Sequence, residues 1–514
     1  MVYRGRPSAG CSRCRTRRLK CDLKRPSCSQ CVRAGCQCAG YRNPAMIRFH
    51  DESQQIMERA RPGERNEDVT LTSRNLSIAT VDIPINDRAA GFIITHYGRG
   101  GSGQSAGSLA FLIDLLPTDR GCLLTPAVHA LGLASLANIY RSPRLVLAAR
   151  AEYSVALAAT NAALQDPGRC RADATVAAVM LLAMYGVVTC QSTSIINRWL
   201  SHVDGAMKLL ELRGSAQLAG PVGLEMFSQL RLQILLSSLY RRRYTPEWLL
   251  NLSHEALSYR TPEDRVQDVF FGLFARVGNL CAALRDGSLR DPGEVLQTAQ
   301  QIDGELVEWT RTVHPSCRFT LCDLSNGEQG PSLPPDVMQY HIYPDIGAHH
   351  LWSTYRIVRI VVHELIIKFC QQLQAYLGSL HPQHASICTH SIAISRGLVA
   401  EICASAPYVL GVGNNDKDSS AAGMYRLMWP FFIAANSVVC SPETRAWIVQ
   451  GLDQIGHRVG IYQSLTLAQV LRNGQRDRQA NEPDPEDIML HEQSMRRGRR
   501  IGVEVQEGAT AWGE

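Results

Sequence analysis

From about residue 87 to residue 475, apolar positions recur at a spacing near 3.6, the period of a helix with one buried face. Thr125-Pro126 opens one such segment, read as an N-cap followed by proline at the first helical position, and the pattern runs to about Tyr140. The same spacing predicts helices over 144–165, 172–188, 197–213, 222–243, 264–286, 292–312, 346–378, 384–405, 426–438 and 442–457. Gly214, Gly287 and Gly378 stand where three of them end, as a left-handed C-cap requires. Period-two alternation is scarce, so the expected fold class is mainly α. On either side the pattern stops. Residues 1–40 are basic and rich in cysteine, and 41–86 form a polar linker with one short helical stretch around Phe49–Ala60. Residues 476–514 are polar again, a tail expected to be disordered. The expected organisation is therefore a small N-terminal module, a linker, a large all-α domain over 87–475, and a tail.

With 514 residues, 45% hydrophobic and 19% charged, the chain has enough apolar surface for a packed core and too much length for one. The longest charge-free run, Ala174 to Asn197, has a strongly apolar part of 13 residues, Val176 to Val188. That is short for a bilayer span and normal for a buried helix, so no membrane partner is expected. Net charge changes the picture more. Residues 1–48 hold 12 Lys and Arg against one acid, Asp22, a balance of +11 within a chain whose total is +6. The remainder is therefore −5, and such asymmetry points to a polyanion partner, nucleic acid first.

Seven of the 17 cysteines fall within residues 11–38. The N-terminus is basic and polar, with no apolar stretch of signal-peptide length, so a reducing compartment is expected, where clustered thiols bind metal. The spacing Cys11-x2-Cys14-x6-Cys21-x6-Cys28-x2-Cys31-x6-Cys38 repeats itself after 17 residues. Two half-modules related by a pseudo-twofold follow, the x2 pair of each holding a metal and its third cysteine closing the site after about two helical turns. Six thiolates fill two tetrahedral shells only if two sulfurs bridge, and symmetry nominates Cys11 and Cys28. Soft sulfur ligands in tetrahedral number favour zinc, two ions per chain, in a closed structural site. Cys36 breaks the repeat, since a shift of 17 aligns it with Leu19; it reads as a small packing residue. Thiolates and zinc together contribute a net −2, which leaves the module at about +9 and still suited to phosphate.

With Arg15-Thr16-Arg17-Arg18-Leu19-Lys20 between the second and third cysteines and Pro26 before the fourth, the module resembles the fungal Zn2Cys6 binuclear cluster family. The resemblance implies a short helix in the major groove that reads CGG-type triplets in double-stranded DNA. It implies base contacts for Arg17 and Arg18 on that helix, and phosphate contacts for Arg15, Lys20 and Lys24. Many members have Lys where Arg18 stands, and a guanidinium keeps the reading of guanine through O6 and N7. The likeness extends to Tyr41-Arg42-Asn43 with Phe49-His50-Asp51-Glu52-Ser53 in the linker. It also covers Trp199-Leu200-Ser201-His202-Val203-Asp204-Gly205-Ala206 with Leu212-Arg213-Gly214, and Trp429-Pro430-Phe431 with Cys440-Ser441-Pro442-Glu443-Thr444-Arg445 and Trp447. These segments are similar to the fungal-specific transcription factor domain, the helical regulatory region of the family. A nuclear, RNA polymerase II type transcription regulator without enzymatic activity is implied, one that controls a metabolic or biosynthetic pathway. Transcription machinery and a small-molecule ligand of the helical domain are further partners the resemblance brings in. The absence of sustained heptads leaves a monomer, or a homodimer formed through the helical domain.

Other motifs compete with this reading. Gly103-Gln104-Ser105-Ala106-Gly107 matches a hydrolase elbow and Gly98-Arg99-Gly100-Gly101-Ser102-Gly103 a dinucleotide fingerprint, but both lie in one Gly/Ser-rich stretch without the strand each needs. A hydrolase centred on Ser105 is the rival enzyme reading. His363-Glu364 begins a zincin pattern that fails at Ile367, and His381, His384 and His390 lack matched partners. Arg496-Arg497-Gly498-Arg499-Arg500 fits a second import or phosphate patch and a solubilising tail equally.

Overall fold

The computed structural model describes residues 10–41, 83–98, 108–119, 123–190, 195–323, 333–411 and 421–473. The expected helix around Phe49–Ala60, Ser105 and the Arg496–Arg500 cluster lie outside them. The chain divides into two compact units, Met1–Thr80 and Val81–Glu514.

Among the described residues the first unit holds two five-residue helices, α1 (Ser12–Thr16) and α2 (Ser29–Arg33). The second is mainly helical. Its helices are α3 (Ile85–Ile93), α4 (Phe111–Leu115), α5 (Leu124–Tyr140), α6 (Pro143–Gln165), α7 (Asp173–Thr189), α8 (Ile195–Arg213) and α9 (Pro221–Tyr240). Then come α10 (Glu247–Ala256), α11 (Pro262–Asp286), α12 (Pro292–Thr312), α13 (Ile346–Leu377), α14 (Pro382–Leu410), α15 (Ala421–Asn436), α16 (Pro442–Val459) and α17 (Tyr462–Arg472). Between α12 and α13 a small antiparallel hairpin pairs β1 (Thr320–Asp323) with β2 (Gln339–Ile342), Thr320 opposite Ile342.

Several helices start by one device. Ser142, Thr261, Asp291 and Ser441 each cap with the side chain and are followed by proline, whose fixed φ and missing N–H suit the first helical position. The start of α5 differs from the expected Thr125 cap. Asp119 does the capping: its carboxylate accepts the backbone N–H groups of Leu123, Leu124 and Thr125 and the Thr125 hydroxyl, and the helix begins at Leu124. Gly287 and Gly378 end α11 and α13 with φ of +74°, and Gly214 follows α8 with φ of +55°. Short elements escaped the periodicity: α3, α4, α10, α17 and the hairpin stand outside the expected segments. Helix α14 continues through Pro407 to Leu410, beyond the expected end at 405, and α15 begins at Ala421, ahead of 426.

Two apolar clusters form the core. One joins α5 and α7, which are buried on nearly all faces, to α3, α8, α9 and α14–α17. The other gathers Phe270, Phe274, Trp309, Trp352 and Tyr355 from α11, α12 and α13. Trp199 packs against Trp429 with its ring tilted and the centroids 5.5 Å apart, and Trp447 lies edge-on to Phe431. Near and far ends of the unit are also tied by hydrogen bonds: Asn138 Nδ2 donates to the carbonyls of Val188 and Gly460, both at 2.8 Å. By length and composition α14 could cross a bilayer; its C-terminal half packs into the core.

Candidate metal centre and nucleic-acid interface

The 17-residue repeat of the cysteines is also a repeat of the backbone. Helix α1 shifted by 17 is α2. The turn after α1 is closed by Arg17 N–H to Arg13 O at 3.0 Å and Leu19 N–H to Cys14 O at 2.8 Å. Its counterpart is closed by Ala34 N–H to Gln30 O at 3.2 Å and Cys36 N–H to Cys31 O at 3.0 Å. Left-handed φ occurs at Arg18 (54°) and Leu23 (58°), and again at Gly35 (58°) and Gly40 (80°).

This backbone converges six thiols. Cys11, Cys14, Cys21 and Cys28 place their sulfurs within 4.8 Å of one another, and so do Cys11, Cys28, Cys31 and Cys38. Cys11 and Cys28 belong to both groups. Sγ separations of 3.7 Å link Cys11 to Cys28, Cys14 to Cys28 and Cys11 to Cys31. A tetrahedron with zinc–sulfur bonds of about 2.3 Å has edges of about 3.8 Å, whereas a disulfide needs about 2.05 Å. The thiols therefore fit two tetrahedral zinc sites that share an edge.

Electrostatics separates the sulfurs into kinds. The Cys21 thiol is drawn below its usual range by the N–H of Cys11 and then that of Leu23. Cys38 is drawn down to about 6 by the N–H of Cys28 and then that of Gly40, the same pair of donors displaced by 17. Burial instead pushes the Cys14 thiol up, and pushes Cys31 up to about 12. Backbone donors thus favour the thiolate at two sulfurs, and burial disfavours it at two others.

Cys36 stands outside both groups. It is exposed rather than packed, its thiol donating to Ala34 O at 3.0 Å, so its expected place in a core is corrected. Helix α1 ends at Thr16, one turn long, and an extended segment carries the chain to Cys21. Arg17 and Arg18, expected on the helix, occupy the turn that stops it, because left-handed backbone at Arg18 cannot continue α1. Arg17, Arg18, Lys20 and Lys24 are all exposed, and Arg15 lies on α1. A cleft of about 180 Å³ beside α1 and α2 adds Arg13 and Arg33 to this cationic surface.

Two supporting residues were missed by sequence reasoning. Asp22 accepts the Ser29 N–H at 3.0 Å and the Ser29 hydroxyl at 2.5 Å, holding the start of α2 against the first half. These bonds, the hydroxyl's first, lower its carboxyl. Tyr41 donates its hydroxyl to the Lys24 carbonyl and packs against the sulfur group. The available signal was that Asp22 is the only acid in residues 1–48.

In the second unit, His363 Nε2 lies 3.2 Å from Asp303 Oδ1, which also binds Arg359, so the residue that began the zincin pattern serves a buried ion network. Burial would raise Asp303, but its bonds to His363 and Arg359 outweigh it and bring it to about 2. His381 caps α14 by accepting the Gln383 N–H at 3.3 Å.

Comparison with known families matches residues 9–47 to the fungal Zn(2)-Cys(6) binuclear cluster domain. No curated protein and no solved structure matches the chain. The helical region that follows is not matched as a fungal-specific transcription factor domain. Residues 9–47 are a Zn2Cys6 binuclear cluster domain ahead of a large helical region, an arrangement that implies a zinc-cluster DNA-binding transcription regulator acting in the nucleus.

Proposed function

We propose that Cys11, Cys14, Cys21, Cys28, Cys31 and Cys38 hold two zinc ions and that the cluster they build reads CGG-type triplets in duplex DNA. Cys11 and Cys28 bridge the ions, and the other four each bind one. Arg17 and Arg18 address guanine O6 and N7 from the turn after α1, and Arg15, Lys20 and Lys24 neutralise phosphates. Residues 41–86 serve as the linker, and 87–475 act as the regulatory part of a transcription regulator that carries no catalytic site. The observation that carries this reading is the pair of sulfur groups sharing Cys11 and Cys28, beside cations concentrated on the first half of the repeat. The test is a competition titration of the full chain against CGG and scrambled duplexes at several salt concentrations, with and without a zinc chelator. Expected are a preference for CGG, a fall of log affinity with log salt, and loss of both on chelation. Equal affinity for the two duplexes would overturn triplet reading, and retention of binding after metal loss would overturn the role of zinc.

A further inference from the structure

Helices α16 and α17 are joined by two residues, Gly460 and Ile461, and so run back along one another, but they differ in length, 18 residues against 11. Near their junction α17 covers α16 closely, since a Cβ on Gly456 would come within 2.4 Å of Leu465. At the other end α16 is the longer by seven residues, which leaves about 10 Å of it beyond the last turn of α17. The face concerned steps back one heptad at a time from Gly456 to Val449 and Pro442. Val449 is 7% exposed, and Pro442 is exposed outright.

A cavity of about 550 Å³ occupies this uncovered end. Pro442, Arg445 and Val449 line it from α16, Cys440 from the turn ahead of that helix, and Leu471 and Arg472 from the end of α17. Its floor is apolar, and its lining holds two arginines and no acid. Asp453 ties Arg472 at the rim, and Arg445 forms no ion pair among the described residues. An apolar helix face edged by cations is a surface that a packed helix ordinarily hides, and among the described residues nothing fills the space above it.

The chain itself continues from the edge of this cavity. Leu471 and Arg472 line it, Asn473 is the last described residue, and 41 residues follow. Within them Glu482-Pro483-Asp484-Pro485-Glu486-Asp487-Ile488-Met489-Leu490 carries four acids and no base, and it ends in the longest apolar run of that stretch. Ten residues separate Arg472 from Glu482, a reach of up to about 35 Å, several times the uncovered length of α16. We propose that the segment Glu482–Leu490 docks in this cavity, Ile488–Leu490 on Val449 and Leu471, and the preceding carboxylates toward Arg445 and Arg472. The tether holds the segment at a local concentration on the order of millimolar, so modest contacts suffice. The docking concerns the helical unit alone and rests on neither the zinc nor the DNA reading.

The experiment uses the full-length, zinc-loaded protein and reads Cys440, the thiol in the cavity lining. Maleimide labelling of Cys440 is followed by mass spectrometry of its peptide, with Cys317, half-buried elsewhere in the unit, as the internal reference. Ile488→Ser combined with Leu490→Ser should speed labelling of Cys440 by about threefold or more and leave Cys317 unchanged. Proximity is read from Met489→Cys, which should form a disulfide with Cys440 under diamide about tenfold faster than Gln506→Cys does, where tether length alone gives about threefold. Arg445→Glu should slow that crosslink, and adding Glu486→Arg should restore it. Unchanged labelling of Cys440 in the double serine variant would overturn the proposal. So would a crosslink from position 489 no faster than tether length gives, or one whose rate rises with protein concentration, which would assign the segment to a second copy. The tail substitutions alter no described residue, so they decide the question even where Arg445→Glu lowers the melting temperature.

Discussion

The two halves of the zinc cluster share a backbone and differ in what they hang on it. Under the shift of 17, Arg13 becomes Gln30, Arg17 becomes Ala34, Arg18 becomes Gly35, Lys20 becomes Gln37 and Lys24 becomes Tyr41. Every metal-directed feature is duplicated, from the sulfur spacing to the N–H donors on Cys21 and Cys38. Every one of these cations is not. The left-handed residues are the clearest case: the second half meets the required φ with glycine at 35 and 40, and the first half meets it with Arg18 and Leu23. A side chain at positive φ costs about 1–2 kcal/mol. The second half therefore shows what the metal site alone requires, and the cations added in the first half are those to which the proposed DNA contacts are assigned.

That contrast can be broken most severely at a shared sulfur. Cys28→Ser should release both zinc ions and unfold the module, because one sulfur serves both shells and metal binding supplies the folding energy. Cys38→Ser should leave one ion on the intact group of four; elemental analysis of the two variants decides between shared and private ligands. Next in size is Arg18→Ala, which should cost about 1–3 kcal/mol on the CGG duplex and much less on scrambled DNA, read by competition titration. Smaller again is Gly35→Ala. Its added Cβ meets nothing within 4 Å, so only the backbone conformation is at stake, and thermal melting of the zinc-loaded module should show a loss of about 1 kcal/mol. Lys24→Ala should weaken all sequences alike and lower the salt slope by about one unit. Cys36→Ser should leave two ions bound and change neither affinity nor slope, since its thiol touches only the Ala34 carbonyl. If Gly35→Ala erased DNA preference while Arg18→Ala spared it, the division of labour between the halves would be reversed.

The same contrast explains how much could be read in advance. The metal site was almost wholly legible, because ligand spacing and the arithmetic of shared sulfurs fix it without knowledge of the surroundings. Helices with one buried face were legible for a related reason: the apolar period alone marks them. Helix α10 was missed because ten residues give too few turns for a period to emerge, and the hairpin because its strands are four residues each. Asp119 was missed as a cap because its reach depends on the loop that returns it to α5.

The bonds from Asn138 to Val188 and Gly460 set a schedule for making the protein. Gly460 reaches that place with φ of +71°, and a Cβ there would come within 2.4 Å of the Ser135 carbonyl, so close contact between α5 and the end of α16 is part of the finished unit. Asn138 and Gly460 are 322 residues apart. At a synthesis rate of about 5–20 residues per second, α5 leaves the ribosome roughly 16–64 s before its last partner exists. The zinc cluster, complete by residue 41, has no such wait. The nascent chain thus passes through a period in which its metal-bound N-terminus is finished while the apolar faces of α5 and α7 are still exposed, and chaperone demand during synthesis falls on the helical unit alone.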